Sequence, residues 1–493
     1  MLRRIAALSI LSLLLLSSFA SAMGIESHNI RKYRGESSDS HRSLDLAVNG
    51  YGLSFGNSSH MKGVRINFRD SEVEEVLGLN FTLWKPGYNP DARISGIALG
   101  LYGPSGCELS GLLAGLLSVE AECSISGIAV AGVATVSGGE INGIALSGIA
   151  TVADGPVSGI TIAGLANIAD GSASGITCGG LANVIAGDLN GISIAGLANV
   201  TDGSLSGISV GGLANVTDGS VSGFTLGGLA NVCDGSVTGI SVGGLANVCD
   251  GEMTGISVGG LANVSDGNMT GISVGGLANV ADGEQTGISV AGLANVADEK
   301  QTGIMISGLA NVSQGDMTGI SLSGIVTVSQ RDLTGIHMTG GAIISESDIF
   351  GIAIGGLGGI NGDLITTRSR GRIDDDEDFE LIGIRAENAG IFVAHGIDIK
   401  VHNKLFGLAV SGISIRAGKI TGAATAGIMV RADEMKGVSA SCVNWYNDYQ
   451  QGLAIGLVNF TENLQGIQLG LINIAKNNPS GARVLPIINM HFD

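Results

Sequence analysis

Sixteen residues recur along most of this chain with little change. Residues 239–271 read GISVGGLANVCDGEMTGISVGGLANVSDGNMTG, the same unit twice over. Gly-Ile, Gly-Leu or Gly-Phe pairs begin at Gly111 and return at every sixteenth residue to Gly351, with no insertion. A short, fixed period of this kind means stacked units, none of which buries its own face alone. The unit is G-I-S-V-G-G-L-A-N-V-x-D-G-x-x-T, and its places are numbered one to sixteen below. Its glycines and its β-branched Ile and Val would cost a helix several tenths to one kcal/mol each, about 3 kcal/mol per unit. The unit is therefore β. The Gly-Gly pair at places five and six permits a bend, Leu-Ala-Asn-Val runs extended, and Asp-Gly turns the chain.

Two folds accept such a unit. One is an all-β, repetitive β-solenoid with about sixteen residues per coil, in which equivalent residues lie about 4.8 Å apart on adjacent coils. The other is an outer-membrane up-and-down β-barrel, one strand and one turn per unit, with successive strands antiparallel. Three features favour the solenoid. Asn holds place nine in ten consecutive units, at Asn167, Asn183, Asn199, Asn215, Asn231, Asn247, Asn263, Asn279, Asn295 and Asn311. Stacked amides form a structural hydrogen-bonded ladder. Between 127 and 350 the aromatics are only Phe224 and Phe350, too few for the girdles of a membrane barrel. Cys107 and Cys123, and likewise Cys233 and Cys249, are one period apart, and stacking makes both pairs disulfide candidates. For the barrel speaks the end of the chain, where two 14-residue units precede a strand INMHF.

With 82 Gly among 493 residues and 4% aromatics, the core is expected to be Ile, Val, Leu and Ala packed against glycine backbone, with Ile at place two and Val at place four facing inward. Cys178, at place four, is then a buried thiol.

The flanks divide the chain further. Residues 1–22, MLRRIAALSILSLLLLSSFASA, have the basic start, apolar run and Ala20-Ser21-Ala22 site of a cleaved signal peptide. Export places the protein at the cell surface, in the outer membrane or in the periplasm. Residues 23–60 are a polar, flexible segment. Residues 61–95 alternate about an acidic turn and read as a β-hairpin capping the array. The array occupies 96–360, a charged loop 361–381, and a C-terminal β region with shorter repeats 382–493. Loss of Arg3 and Arg4 takes the formal charge from −19 to −21, which disfavours nucleic acid as a partner.

The stretch LNFTLWKPGYNPDARISGIALGLYGP (79–104), the G-I-x-V-G-G-L repeats and the closing GLINIAKNNPSGARVLPIIN resemble the bacterial surface-repeat proteins of Leptospira and Bacteroidota. The resemblance covers most of residues 60–493 and implies an exported envelope protein with no assigned activity or catalytic residues. Some relatives are lipoproteins, and the present chain has no Cys after its leader.

Chemistry is sparse. Asp at place twelve (Asp202, Asp218, Asp234, Asp250, Asp266, Asp282, Asp298) stacks carboxylates that Ca²⁺ would relieve. Asx-turns on a solvated edge explain them as well, and the calcium-binding roll uses a different nonapeptide. Asp374, Asp375, Asp376, Glu377 and Asp378 form a second acidic run. A Thr row from Thr238 to Thr334 suits sugar hydroxyls or plain β-pairing. His395, Asp398 and His402 are the nearest approach to a constellation. No catalytic or cofactor-binding set emerges. The expectation is a structural or adhesin-like binding protein whose surface ligand is a protein or glycan, with outer-membrane association, or a barrel pore or anchor, as the alternative.

Overall fold

In a computed structural model of the chain, residues 43–87, 89–356 and 384–492 are described. They form strands and turns with no helix. Each period is one coil carrying a seven-residue strand, such as Met253–Gly259, and a four-residue strand, such as Ala262–Ser265. Within the array strands pair in parallel with the strand sixteen positions on, as Gly159 with Gly175 in the first half and Gly239 with Gly255 and Asn247 with Asn263 in the second. Parallel pairing at one full period defines the β-solenoid and excludes the antiparallel barrel.

The place-one glycine shows why the unit is so strict. Gly255 has φ +118, where a side chain is strained, and a Cβ there would lie 2.1 Å from the Gly239 carbonyl oxygen. Place six is closed for a second reason: a Cβ on Gly260 would meet the Gly244 carbonyl oxygen at 1.9 Å. Both positions belong to backbone approaching backbone across adjacent coils.

The coils divide into two compact units, residues 1–211 and 212–493. The first begins with a hairpin at 43–56, where Ser43–Val48 pairs antiparallel with Tyr51–Gly56 across Asn49-Gly50. Both turn residues have positive φ, 53° and 81°, as a two-residue hairpin turn requires. The sequence placed the hairpin at 61–95 instead. There, His60–Asn67 and Glu75–Thr82 run parallel, and are already coils. Alternation identifies a strand but not the direction of its partner. The part of the expected flexible segment that is described, 43–60, is strand and turn, and the coils start near Tyr51 rather than at 96. The signal peptide, residues 23–42 and the charged loop lie outside the described residues.

In the second unit the place-nine column changes character. Asn311 is followed in register by Thr327, Ile343, Ile384, Ile399, Ile415 and Val430, and then by Asn444, Asn459 and Asn473. Between 343 and 430 the interior is a continuous aliphatic core with Val393, Leu405 and Ile420. The stack ends in a strand, Val484–His491, paired antiparallel with the last coil.

Candidate binding surface and the polar lumen

Within one coil of the second unit the alternation runs in a phase opposite to the expected one. Ser241, Gly243, Asn247, Cys249 and Met253 point inward, while Ile240 and Leu245 are 40% and 45% exposed. Val242 and Val248 lie half-buried on the same outer surface. The aliphatic core expected for the array is therefore a correction, and so is Cys178, which sits outward at place four and is half-buried. The physical reason is space. A Cβ on Gly243 would lie 2.2 Å from the Ala246 carbonyl oxygen and 2.9 Å from Asn247 Oδ1. The lumen takes Ser, Asn and small residues, with one larger apolar column (Val237, Met253, Met269) at place fifteen.

Burying so many polar groups is tolerable only if each finds a partner. Asn247 Nδ2 donates to Asn263 Oδ1 at 2.8 Å and to the Val258 carbonyl at 2.8 Å. Its Oδ1 accepts from Asn231 Nδ2 and from Ser241 Oγ, each at 2.9 Å. The expected ladder is present, from Asn167 through Asn183 to Asn199 in the first unit and from Asn215 through every member to Asn311 in the second. Sequence reasoning missed its second stretch, Asn444–Asn459–Asn473, because the spacing there falls to 15 and 14 residues. It also missed Arg65, fully buried in the first unit, whose Nη1 reaches Asp70 at 2.5 Å and Asn80 at 2.9 Å.

The other candidates separate. Cys107 and Cys123 form a disulfide with Cα atoms 4.7 Å apart. Cys233 and Cys249 are in register but remain buried thiols, a correction to the second pair. Each donates to a glycine carbonyl of the preceding coil, Gly219 at 3.0 Å and Gly235 at 2.7 Å. The neighbouring Cys249 sulfur, together with burial, raises Cys233 above the ordinary thiol range. The place-twelve carboxylates stand on the exposed turn, and their backbone N–H groups hold the coil, as Asp250 N to the Cys233 carbonyl at 3.0 Å. Among the described residues no group of three His, Cys, Asp or Glu is arranged to hold a metal ion. The acidic run 374–378 lies outside the described residues.

His395, Asp398 and His402 do not form a site. His395 is buried, with Nε2 at 3.0 Å from the Gly341 carbonyl and Nδ1 accepting from Ile397 N. His402 faces solvent. His337, which carried no sequence signal beyond replacing Ser at place three, lies in the lumen with neither ring nitrogen bonded. Burial holds its pKa down to about 4.

The outer surface of a coil is thus sorted by corner. The Asp-Gly turn is acidic and carries the Thr row beside it, with Thr254 exposed. The Gly-Gly-Leu corner is aliphatic. In the second unit its Leu column runs Leu213, Leu229, Leu245, Leu261, Leu277, Leu293 and Leu309, flanked by Ile240, Ile256, Ile272 and Ile288. No family model, no curated protein and no solved structure matches this chain.

Proposed function

We propose that the chain is an exported structural or adhesin-like binding protein of the cell envelope or surface, working through the extent of its repeat surface rather than through catalysis. The observation that carries this reading is the exposed Leu column with its flanking Ile column. A soluble monomer keeps its largest apolar patch to roughly 300–600 Å². The aliphatic corner repeats without a charge over seven Leu rungs in the second unit alone. Such a flank suits lateral association, with the acidic corners turned outward to water. The leader-like residues 1–22 and the resemblance to surface-repeat proteins support export. A second reading, association with the outer membrane, draws on the same columns, since they offer lipid an uncharged surface.

One experiment separates these. Wild-type protein and a Leu245→Ser, Leu261→Ser, Leu277→Ser variant are compared by sedimentation velocity without detergent and by flotation with lipid vesicles. Self-association lost in the variant supports lateral binding, and flotation lost in the variant supports the membrane reading. A wild-type monomer that neither associates nor floats sinks both.

A further inference from the structure

At place eleven two adjacent coils of the second unit depart from their column. In register it reads Thr217, Cys233, Cys249, Ser265, Ala281, Ala297 and Ser313, every member buried. Packing here asks only for a small side chain, which Ser and Ala supply. Nothing in the fold demands a thiol, still less two in succession.

The two thiols are set alike. Cys233 Sγ lies 3.0 Å from the Gly219 carbonyl and 3.9 Å from that of Ser236. Cys249 Sγ lies 2.7 Å from the Gly235 carbonyl and 3.7 Å from that of Glu252, the equivalent atoms one coil on. Equivalent partners mean equal orientation, so the sulfurs stand one coil apart, about 4.8 Å. A metal–thiolate bond is about 2.3 Å long, with zinc as the guide. Two such bonds laid end to end span the gap with the backbone kept in place.

The surroundings are soft and confined. A cavity of about 10 Å³ opens in the lumen beside Cys233, with Val221, Val237 and Met253 on its wall. It exists because place fifteen holds Val in two coils, Val221 and Val237, where Met253 and Met269 follow. Met253 brings a thioether, a third soft sulfur, to the same space. The thiols also act as a pair. Cys233 holds Cys249 below the ordinary thiol range, while Cys249 and burial push Cys233 above it.

We propose that Cys233 and Cys249 bind one soft monovalent cation of the copper(I) class, bridging two coils inside the lumen. The ion takes two thiolates, both thiol protons leave to solvent, and no electron is transferred. The donor set decides the class. Zinc wants four ligands, and among the described residues no group of three His, Cys, Asp or Glu is arranged to hold a metal ion. Thiolate and thioether sulfur select copper(I), which is satisfied by two collinear sulfurs.

This inference is independent of the surface binding proposed above. The test uses the full chain carrying Cys178→Val and Cys442→Ser, which leave Cys233 and Cys249 as its free thiols. Copper(I), delivered oxygen-free as its acetonitrile complex, is titrated against a chromogenic copper(I) chelator. Silver(I) serves as a redox-inert second probe and zinc(II) as a metal of another class. The expected result is one copper(I) or silver(I) per chain, sulfur neighbours in the X-ray absorption spectrum, and a thermal midpoint raised by the ion. Cys233→Ala with Cys249→Ala abolishes all three, and the fold accepts it, since Ala281 and Ala297 hold the same place. Either single substitution weakens binding by more than the roughly 100-fold that loss of an outer partner costs. Should the double Ala variant fail to fold, Cys233→Ser with Cys249→Ser, matching Ser265, carries the same expectation. The proposal is overturned by absence of binding in the folded background protein, by undiminished binding in a folded double variant, by zinc(II) binding as tightly, or by isolation of the pair as a disulfide.

Discussion

Asn263 accepts a hydrogen bond from Asn247 one coil before it and donates one to Asn279 one coil after it, each at 2.8 Å. Every amide of the ladder points the same way. The direction makes each Asn both the acceptor its predecessor needs and the donor its successor needs.

Replacing Asn263 by Ala therefore takes a hydrogen-bond partner from three groups at once: Asn247 Nδ2, which keeps the Val258 carbonyl, Asn279 Oδ1 and the Val274 carbonyl. At about 1–3 kcal/mol for each buried group left unpaired, the loss is about 3 kcal/mol or more. Repeat arrays open locally, so hydrogen exchange should show it first in the coils from 247 to 279. The ladder also has a vacant start. Asn167 Oδ1 is buried without a partner, because Thr151 precedes it in register. Thr151→Asn supplies the missing donor and should raise protection of the adjoining coils by about 1 kcal/mol.

Glycine at place one makes an opposed pair of predictions. Gly255→Ala forces a Cβ into the Gly239 carbonyl at a backbone angle that Ala adopts poorly, and should cost about 3 kcal/mol or more. Ile391 occupies the same column, between Gly351 and Gly407, with φ +77. Ile391→Gly removes that strain and should stabilise by about 1 kcal/mol, net of lost side-chain burial. Thermal midpoints of the two variants should move in opposite directions.

His337 makes the second unit sensitive to acid. Buried and unbonded, it stays neutral in the fold down to about pH 4, whereas in the unfolded chain it takes up its proton near pH 6.5. Between those values the unfolded state holds the extra proton, so stability falls as pH falls. The full effect is on the order of 3 kcal/mol. His337→Ser, matching Ser321 one coil before it, should flatten this part of the pH profile. An unchanged acid limb in the variant would assign it to other groups.

The cysteines should react in three classes. Cys107 and Cys123 should appear as one cross-linked peptide under non-reducing mapping. Cys442 is exposed and should alkylate in the folded protein. Cys233 and Cys249 should alkylate only after denaturation. Loss of the disulfide in a Cys123→Ser variant should cost about 3 kcal/mol, the loop closed being close to fifteen residues.

The coil architecture was readable in the sequence because its period does not depend on which side faces in. Sixteen-residue spacing of Gly239, Gly255 and Asn247, Asn263 fixes stacking whichever phase the strand takes. The phase itself was not readable. Hydrophobicity assigns Ile240 to the interior and Asn247 to the surface, and both lie the other way round. What decides is lumen width, set by backbone contacts at Gly243 that no single-residue scale carries. The alternation Ile384-Arg385, Ile399-Lys400, Ile415-Arg416, Val430-Arg431 was present to be seen. Its spacing drifts from sixteen, and a search tuned to the array passes over it. Direction of pairing at 60–82 was hidden for a different reason, since parallel and antiparallel partners share one alternation.

The register of the coils bears on how such a chain changes over generations. If residues 255–270 were lost, Gly271 would come to rest against Gly239 and Asn279 against Asn247, and the same backbone and amide bonds would form again. Duplication of that stretch is equally silent. Slippage during copying of the gene can therefore lengthen or shorten the array in whole coils without passing through an unfolded form. The number of coils is then a heritable variable of its own, open to selection for reach while the fold stays constant.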